Sequence, residues 1–255
     1  MRLDVEVVKR GLAESRQKAQ EQIRSGVVYV NSVAVNKPSV TVSETDRIEI
    51  LGEVLRYVGR GGLKLECALS NFPIDVSNKV CLDIGASTGG FTDCLLQNGA
   101  RKVYAVDVGH GQLHPSLQNR EEVISLEGVN VKDLSKDMLQ ETPEFICCDV
   151  SFISLSVVIE KISSLYENSF ECVLLIKPQF EAGKQNIGKN GIVKDKKVHI
   201  NVISNILELC QRNGITPVGL CKSSITGGDG NVEYLLYGKK GSFEMSPIDI
   251  KTIVG

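Results

Sequence analysis

The sequence has no long hydrophobic run, no internal repeat and no low-complexity tract. A membrane-spanning helix needs about 20 predominantly apolar residues in a row, and no segment approaches that length. The opening segment, MRLDVEVVKR, carries charges throughout, whereas a secretion signal contains an apolar stretch. We therefore expect neither export nor membrane insertion.

Cysteine motifs typical of metal or redox sites are also missing. None of the eight cysteines forms a Cys-x-x-Cys motif, and His110 and His114 have no nearby cysteines that would complete a zinc site. Several cysteines lie within apolar runs, namely Cys81, Cys147, Cys148 and Cys172. Because buried cysteine behaves as a small hydrophobic residue, we expect reduced thiols, no disulfide and no metal. Reduced thiols are typical of the cytoplasm.

Residues 1–57 predict a small α+β domain. Ser15 can cap a helix over Arg16–Arg24, which follows another short helical segment. The segments VVYV and VAV flank a tight Asn31-Ser32 turn, as in a hairpin, and RIEIL at 47–51 predicts a further strand. Residues 1–60 carry a charge balance of +2 within a chain of net charge −2. This asymmetry alone is too small to indicate nucleic acid.

Residues 64–255 are predicted to form a second domain, after a linker at 58–63. In this part apolar strands alternate with helices, for example over Phe91–Gln97 and Val198–Gln211. Such alternation predicts a Rossmann-like α/β domain, with a mostly parallel sheet and helices on both faces. The strand candidates are KVCLDIG, KVYAVDVG, EFICCDV, ECVLLIK, ITPVGLCK and VEYLLYG.

A glycine-rich loop, DIGASTGGF, follows the first of these strands and opens a helix. Glycine lets the backbone approach a ligand closely, and a helix N-terminus offers unpaired N–H groups. The next strand ends at Asp107, where a doubly wound sheet places an acid that accepts ribose hydroxyls. The candidate cofactor-binding residues are Asp83, Gly85, Ser87, Gly89, Gly90 and Asp107.

The spacing of the loop favours a methyl donor. A dinucleotide site has Gly-x-Gly-x-x-Gly around the pyrophosphate, whereas this loop has Gly-x-x-x-Gly-Gly. Asp83, before the first glycine, would repel a pyrophosphate and suits a ligand with an amino group and a sulfonium. We therefore expect S-adenosylmethionine. A nicotinamide or flavin cofactor and a purely structural turn remain as alternatives.

Further motifs surround this loop. RGGLKL precedes it, CCDVSFISL and LIKPQFE follow it, and GNVEYLLY lies near the end. Together they resemble the TlyA family of RNA ribose methyltransferases, historically named haemolysins, whose catalytic domain is similar to the FtsJ type of ribose 2′-O-methyltransferase. The N-terminal segment resembles the RNA-binding domain named after ribosomal protein S-four. The resemblance covers essentially the whole chain. It departs at Arg56-Tyr57-Val58, where some relatives carry a tryptophan.

The resemblance implies S-adenosylmethionine as cofactor and ribosomal RNA or ribosomal subunits as substrate. The sequence itself gives no sign of an obligate protein partner. It also implies a catalytic tetrad, which maps by motif to Lys64, Asp149, Lys177 and Glu233. A lysine that takes a proton from a 2′-hydroxyl must first be neutral. Burial and a second ammonium favour the neutral form, and neighbouring carboxylates oppose it. Without the resemblance, Lys177 and Glu233 could equally be ordinary strand-end charges.

RNA binding, which the resemblance implies, gives a possible role to Arg10, Arg16 and Arg24. Arg16 and Arg24 share a helix face and could contact phosphates without reading sequence. The same arginines could instead be a solvated helix face. Because Tyr29 and Tyr57 are the only aromatic residues in this part, we expect recognition of folded RNA by its shape.

Other functions fit the sequence less well. Carbon methylation of a base would need a cysteine nucleophile, but Cys147 and Cys148 lie within a strand without an adjoining proline. Amino-group methylation commonly uses an Asn/Asp-Pro-Pro-aromatic motif, and the segment from Asp149 to Phe152 lacks both prolines. A haemolysin-like membrane-active protein would need a cationic amphipathic helix, which we do not find. A non-catalytic RNA-binding protein could keep the fold, but it would not need the four charged residues.

Overall fold

The computed structural model divides the chain into two compact units, Met1–Gly59 and Arg60–Gly255. It describes residues 1–24, 26–51, 56–167, 169–188, 190–227, 230–241, 243 and 247–255. Each unit has a hydrophobic core of its own.

The first unit combines two helices with a small antiparallel sheet of order β2-β1-β3. The Asn31-Ser32 turn joins β1 to β2 with positive φ at both residues, as a tight hairpin requires. The elements are α1 (Leu3–Lys9), α2 (Arg16–Arg24), β1 (Val28–Val30), β2 (Val33–Ala34) and β3 (Ile48–Ile50). They share one core made of Leu3, Val7, Ala19, Ile23, Val28, Val42 and Ile48. The predicted α+β character of this part is confirmed.

The second unit is built on a seven-stranded sheet of order β6-β5-β4-β7-β8-β10-β9. Its strands are β4 (Val80–Ile84), β5 (Lys102–Asp107), β6 (Val123–Glu127), β7 (Phe145–Cys148), β8 (Glu171–Ile176), β9 (Ile215–Lys222) and β10 (Tyr234–Lys240). Strands β4 to β8 pair in parallel, whereas β10 runs antiparallel to both of its neighbours. The predicted mostly parallel sheet is therefore confirmed, with one reversed strand among those described.

Helices lie on both faces of this sheet. Leu82 and Ile84 of β4 join a core that includes residues of the helices over Leu155–Leu165 and Lys196–Arg212. Asp83, on the opposite face of the same strand, bonds to a helix there through Thr92. The helices are α3 (Gly61–Asn71), α4 (Gly90–Gln97), α5 (Pro115–Gln118), α6 (Leu155–Leu165), α7 (Pro178–Glu181), α8 (Lys196–Arg212) and α9 (Ile250–Val254).

At two helix starts the structure differs from the sequence expectation by more than one residue. Helix α3 begins at Gly61, inside the segment 58–63 that was predicted to be a linker. Helix α8 begins two residues before Val198, because Asp195 caps it by accepting a hydrogen bond from the Lys197 backbone N–H at 2.8 Å. An N-cap aspartate therefore fixes this helix start.

Candidate active site

The structure brings Lys64, Asp149, Lys177 and Glu233 together at one edge of the sheet. Asp149 and Lys177 directly follow β7 and β8, at the carboxyl ends of these parallel strands. Glu233 directly precedes β10, and because β10 is reversed, its start lies at that same edge. Lys64 reaches the group from α3. The carboxyl edge is where open parallel sheets place ligands.

The four side chains form a chain of alternating charges. The Lys64 Nζ lies 2.7 Å from Glu233 Oε2 and 3.6 Å from Asp149 Oδ2. The Lys177 Nζ lies 2.5 Å from Asp149 Oδ1 and donates a hydrogen bond to Ser151 Oγ at 2.9 Å. Asp149 thus stands between two ammonium groups. Because Lys64, Lys177 and Glu233 are buried, these pairings offset the cost of removing their charges from water.

A cavity of about 250 Å³ opens beside this cluster. Asp149, Ser151 and Lys177 line it together with Gly85 and Ser87 of the glycine-rich loop. Gly90 and Phe91, at the start of α4, also line it. Two of the predicted catalytic residues, Asp149 and Lys177, therefore share one cavity with part of the predicted cofactor loop.

Asp107 holds the glycine-rich loop in place. Its two carboxylate oxygens accept hydrogen bonds from the backbone N–H groups of Ser87, at 2.8 Å, and Gly109, at 2.7 Å. Ser87 has a left-handed backbone with φ 48°. Each carboxylate oxygen still has a lone pair for a further donor. Asp107 therefore orders the loop and keeps acceptor capacity for a further donor.

The loop glycines make room for the protein's own atoms. A Cβ on Gly85, whose φ is 85°, would lie 2.4 Å from the backbone oxygen of Asp149. A Cβ on Gly89, whose φ is 93°, would lie 2.4 Å from the Leu117 side chain. The sequence argument assigned these glycines to close approach of a ligand. In the structure, the close approaches seen at both positions are to neighbouring parts of the chain.

Asp83 does not occupy the ligand-facing position that its place in the loop motif suggested. It is fully buried and accepts a hydrogen bond from Thr92 Oγ1 at 2.7 Å, while its Oδ1 has no partner among the described residues. Burial raises the pKa of Asp83 to about 7, and the charge of Asp149 contributes to the rise. Alternation along β4 directs this carboxylate towards α4.

The three arginines proposed to bind RNA differ in their surroundings within the protein. Arg10 donates to Glu6 Oε1 at 2.8 Å and to backbone oxygens of the loop 43–46, and so ties α1 to that loop. The Arg16 Nε donates to Asp4 Oδ2 at 2.9 Å, and Asp4 is fully buried. Arg24 is exposed at the end of α2. The first two arginines therefore have structural partners that the sequence pattern did not reveal.

An exposed aromatic residue beside the cavity was missed by the sequence argument. Phe152 has φ 64°, a rare conformation for a bulky residue, and its side chain is 91% exposed. Its ring centroid lies 5.0 Å from that of Phe180, whose ring is 5.8 Å from the Lys177 Nζ. An apolar residue in a sequence ordinarily indicates core, so composition gave no signal here.

The cysteines of β7 are poor nucleophile candidates. Cys147 and Cys148 are fully buried, and burial raises the pKa of both thiols well above the ordinary range. Since the thiolate is the nucleophile, these residues are held in the inert form. Six of the eight cysteines are buried, and Cys67 and Cys221 are partly exposed. Within the described residues, no group of three or more His, Cys, Asp or Glu side chains could hold a metal.

The sheet with its reversed strand, together with the loop and the buried charges beside it, defines a methyltransferase-type α/β domain. Residues 57–240 match the family described as FtsJ-like methyltransferase, and residues 1–48 match the S4 domain. The chain is 40% identical to the 16S/23S rRNA (cytidine-2′-O)-methyltransferase TlyA of Mycobacterium tuberculosis, over 92% of this chain and 88% of that protein. It therefore belongs to the TlyA family of FtsJ-like methyltransferases, as the motifs predicted.

Two further comparisons support this assignment. Hemolysin A of Brachyspira hyodysenteriae is 46% identical, over 93% of this chain and 99% of its own length. A solved structure from Streptococcus thermophilus, which carries a provisional hemolysin name, is 40% identical with a TM-score of 0.79. It covers all of this chain, and the match spans 94% of its own length. Across the described part of the chain, no helix combines the length and apolar character that bilayer crossing requires.

Proposed function

We propose that this protein transfers a methyl group from S-adenosylmethionine to a ribose 2′-hydroxyl of ribosomal RNA. The observation that carries the proposal is the buried Lys64–Asp149–Lys177–Glu233 cluster. Two of its members, Asp149 and Lys177, line the same cavity as the glycine-rich loop. The name of the Mycobacterium tuberculosis relative, which specifies cytidine 2′-O-methylation, supports the same reaction.

The residues around the cavity fit S-adenosylmethionine. Asp107 ends β5 with lone pairs available to ribose hydroxyls, and the start of α4 at Gly90 suits a carboxylate. Asp149 places negative charge at the cavity, which favours a sulfonium. When bound there, the cofactor supplies an activated methyl group. The chain's own contribution is to orient the acceptor and to remove its proton.

Lys177 is the candidate base in this proposal. Lys177 lines the cavity, where its neutral amine can accept the proton of a ribose hydroxyl. Asp149, whose Oδ1 lies 2.5 Å from the Lys177 Nζ, holds this amine in position. After transfer, Asp149 and Ser151 stabilise the ammonium that forms. Lys64 and Glu233 hold Asp149 in position.

Two features support RNA as the acceptor. The N-terminal unit matches the S4 domain, which we assign to RNA binding. Beside the cavity, Phe152 presents an exposed ring, and exposed aromatic rings stack on unpaired bases. An unpaired nucleotide whose base stacks on Phe152 could present its ribose to Lys177. Whole ribosomal subunits are a second form in which this RNA could be bound.

The test is methyl transfer from labelled S-adenosylmethionine to ribosomal RNA from cells that lack the protein. We expect 2′-O-methylcytidine after digestion to nucleosides. Lys177→Ala should reduce turnover by about 10²-fold or more with cofactor affinity nearly intact. Lys194→Ala, which removes an exposed lysine outside the cluster, is the matched control. Label recovered in methylated bases, or no label in RNA, would contradict the proposal.

A further inference from the structure

Cys67 and Cys221 differ from the other cysteines of the chain. The remaining six are buried, whereas these two are partly exposed. Cys67 lies on α3, and Cys221 lies in β9, near the end of that strand. They therefore belong to different elements and are 154 positions apart in the sequence.

Helix α3 runs alongside the end of β9 and the segment that follows it. The Arg60 Nη2, just before the helix, donates to the backbone oxygen of Thr226 at 3.1 Å. Nearly two turns further along, the Cys67 Sγ donates to the backbone oxygen of Lys222 at 3.7 Å. The Cys67 thiol is thus in contact with the residue that follows Cys221.

The side chain of Cys221 is directed towards α3. A Cβ on Gly219 would lie 2.6 Å from the ring of Phe72, which follows α3, so this face of β9 meets the end of the helix. Cys221 stands two residues further along the strand and shares that face. From Phe72 back to Cys67 the helix covers about 7.5 Å, and two strand residues cover about 6.7 Å. Because Phe72 lies against Gly219, nearly equal distances along the helix and along the strand place the two thiols opposite each other.

We infer that Cys67 and Cys221 form a thiol pair that low-molecular-weight disulfides such as oxidised glutathione convert to a disulfide. The thiolate of Cys67 attacks one sulfur of glutathione disulfide, and one glutathione leaves as a thiolate. Cys221 then releases its proton to solvent and attacks the Cys67 sulfur of the mixed disulfide, and the second glutathione leaves. Two protein thiols are oxidised, and one glutathione disulfide is reduced to two thiols.

The order of attack follows from the surroundings of the two thiols. Burial, with the neighbouring Cys67 thiol, raises the pKa of Cys221 to about 12. Cys221 is therefore mostly protonated near neutral pH and suits the resolving step rather than the first attack. Cys67 is partly exposed, so a small disulfide can reach it.

The disulfide would act on the cluster through α3. Lys64 precedes Cys67 by three residues on that helix, and its Nζ lies 2.7 Å from Glu233 Oε2. A disulfide requires a narrow range of Cβ separations. Bond formation therefore fixes the distance between α3 and β9 at the two cysteines. This consequence rests on the proposed function. We expect oxidation to lower turnover by about tenfold or more, and reduction with dithiothreitol to restore it.

The disulfide itself is tested without an activity assay. The full-length protein is treated with oxidised glutathione, alkylated and digested with trypsin under non-reducing conditions. Mass spectrometry should find LECALSNFPIDVSNK joined to NGITPVGLCK, the peptides that contain Cys67 and Cys221. Cys67→Ser and Cys221→Ser should each abolish this species, while Cys210→Ser, at a buried thiol, should retain it. Stable glutathione adducts without the joined peptides would overturn the inference.

Turnover is then measured on the same samples with ribosomal RNA. The wild type should lose activity on oxidation, whereas Cys67→Ser should be active and insensitive to glutathione disulfide. Joined peptides with unchanged turnover would refute the coupling to Lys64 and leave the disulfide itself supported. If the reduced protein has no activity, the proposed function fails, and the peptide result still decides whether the thiols pair.

Discussion

At the scale of single residues, Asp83 shows that a residue within a cofactor-loop motif can be buried in the core instead of lining the cavity. Its raised pKa of about 7 means that the folded state favours the protonated carboxyl. This contribution to stability is fully present below about pH 4, the pKa range of an unfolded aspartate, and is lost as the pH rises through 7. Each pKa unit corresponds to about 1.4 kcal/mol, so the total effect is a few kcal/mol.

We therefore expect the contribution of Asp83 to lower the free energy of unfolding of the wild type as the pH rises from about 4 to about 7. In Asp83→Asn this decline should be much smaller, because the amide cannot ionise. Urea denaturation at a series of pH values measures the effect. Asp137→Asn, at an exposed position, is the control and should follow the wild type. Parallel pH profiles for the wild type and Asp83→Asn would show that the burial of Asp83 does not govern this dependence.

The face of β4 from which the Asp83 side chain projects could have been derived from the sequence. Residues alternate between the two faces of a strand, and Leu82 and Ile84 therefore share a face that Asp83 does not. By contrast, nothing in the sequence showed that Phe152 would be exposed or that Arg10 would bond to a loop. Both depend on where distant segments meet, and a single sequence does not contain that information.

At the scale of elements, Asp107 connects the end of β5 to the glycine-rich loop. Asp107→Ala removes the acceptor for Ser87 and Gly109 as well as a candidate partner for the cofactor ribose. We expect S-adenosylmethionine to bind about 1–3 kcal/mol more weakly, as calorimetry would measure. Asp107→Asn, which keeps one acceptor oxygen, should lose less. Equal affinity of wild type and Asp107→Ala would remove this residue from the site.

In the N-terminal unit, α1 and α2 are joined through the buried carboxylate of Asp4. Hydrogen bonds from Arg2, Gln20 and Arg16 hold the pKa of Asp4 well below its ordinary value. This pairing stabilises the fold above about pH 4 and is lost as the pH falls below it. Reversal of charge at Arg16 would therefore leave a buried charge with less compensation.

The structure therefore predicts different effects for charge reversal at Arg16 and at Arg24, although the sequence pattern grouped these two residues together. Arg16→Glu should lower the thermal stability of the N-terminal unit and weaken RNA binding together. Arg24→Glu, at an exposed position, should weaken RNA binding and flatten its dependence on salt, with thermal stability unchanged. The measurements are RNA affinity at several salt concentrations and thermal unfolding. If Arg24→Glu binds RNA as the wild type does at every salt concentration, this end of α2 lies outside the RNA contact.

The elements themselves were predicted to different degrees. Six of the seven strands in the catalytic sheet were indicated by apolar runs, and these runs are largely buried. Strand β6 was missed because it lies at the edge of the sheet, half-exposed, and follows the charged residues Arg120, Glu121 and Glu122. The antiparallel direction of β10 could not be predicted from the sequence either, because strand direction depends on the path of the connecting chain.

At the scale of the whole molecule, the division into two compact units separates the S4 domain from the sheet that carries the proposed catalytic cluster. A fragment of residues 60–255 contains the whole seven-stranded sheet, the cavity and the charged cluster. We expect it to fold and to bind S-adenosylmethionine. It should lose most activity on folded ribosomal RNA, because the S4 domain no longer holds the substrate.

Calorimetry with the cofactor and methylation rates on ribosomal RNA compare the fragment with the full-length protein. Circular dichroism provides the control that the fragment is folded. Equal methylation by both proteins would show that the N-terminal unit is not required to recognise the substrate.

Gly85 has a consequence for how this catalytic domain can diverge or be redesigned. The backbone oxygen of Asp149 occupies the space that any side chain at position 85 would need. A substitution aimed at cofactor preference would therefore displace a proposed catalytic carboxylate at the same time. Selection for a new cofactor cannot begin at this position without loss of the existing chemistry. The workable starting points are Asp107 and its neighbours at the other end of the loop, where ligand contacts can change while Asp149 keeps its place.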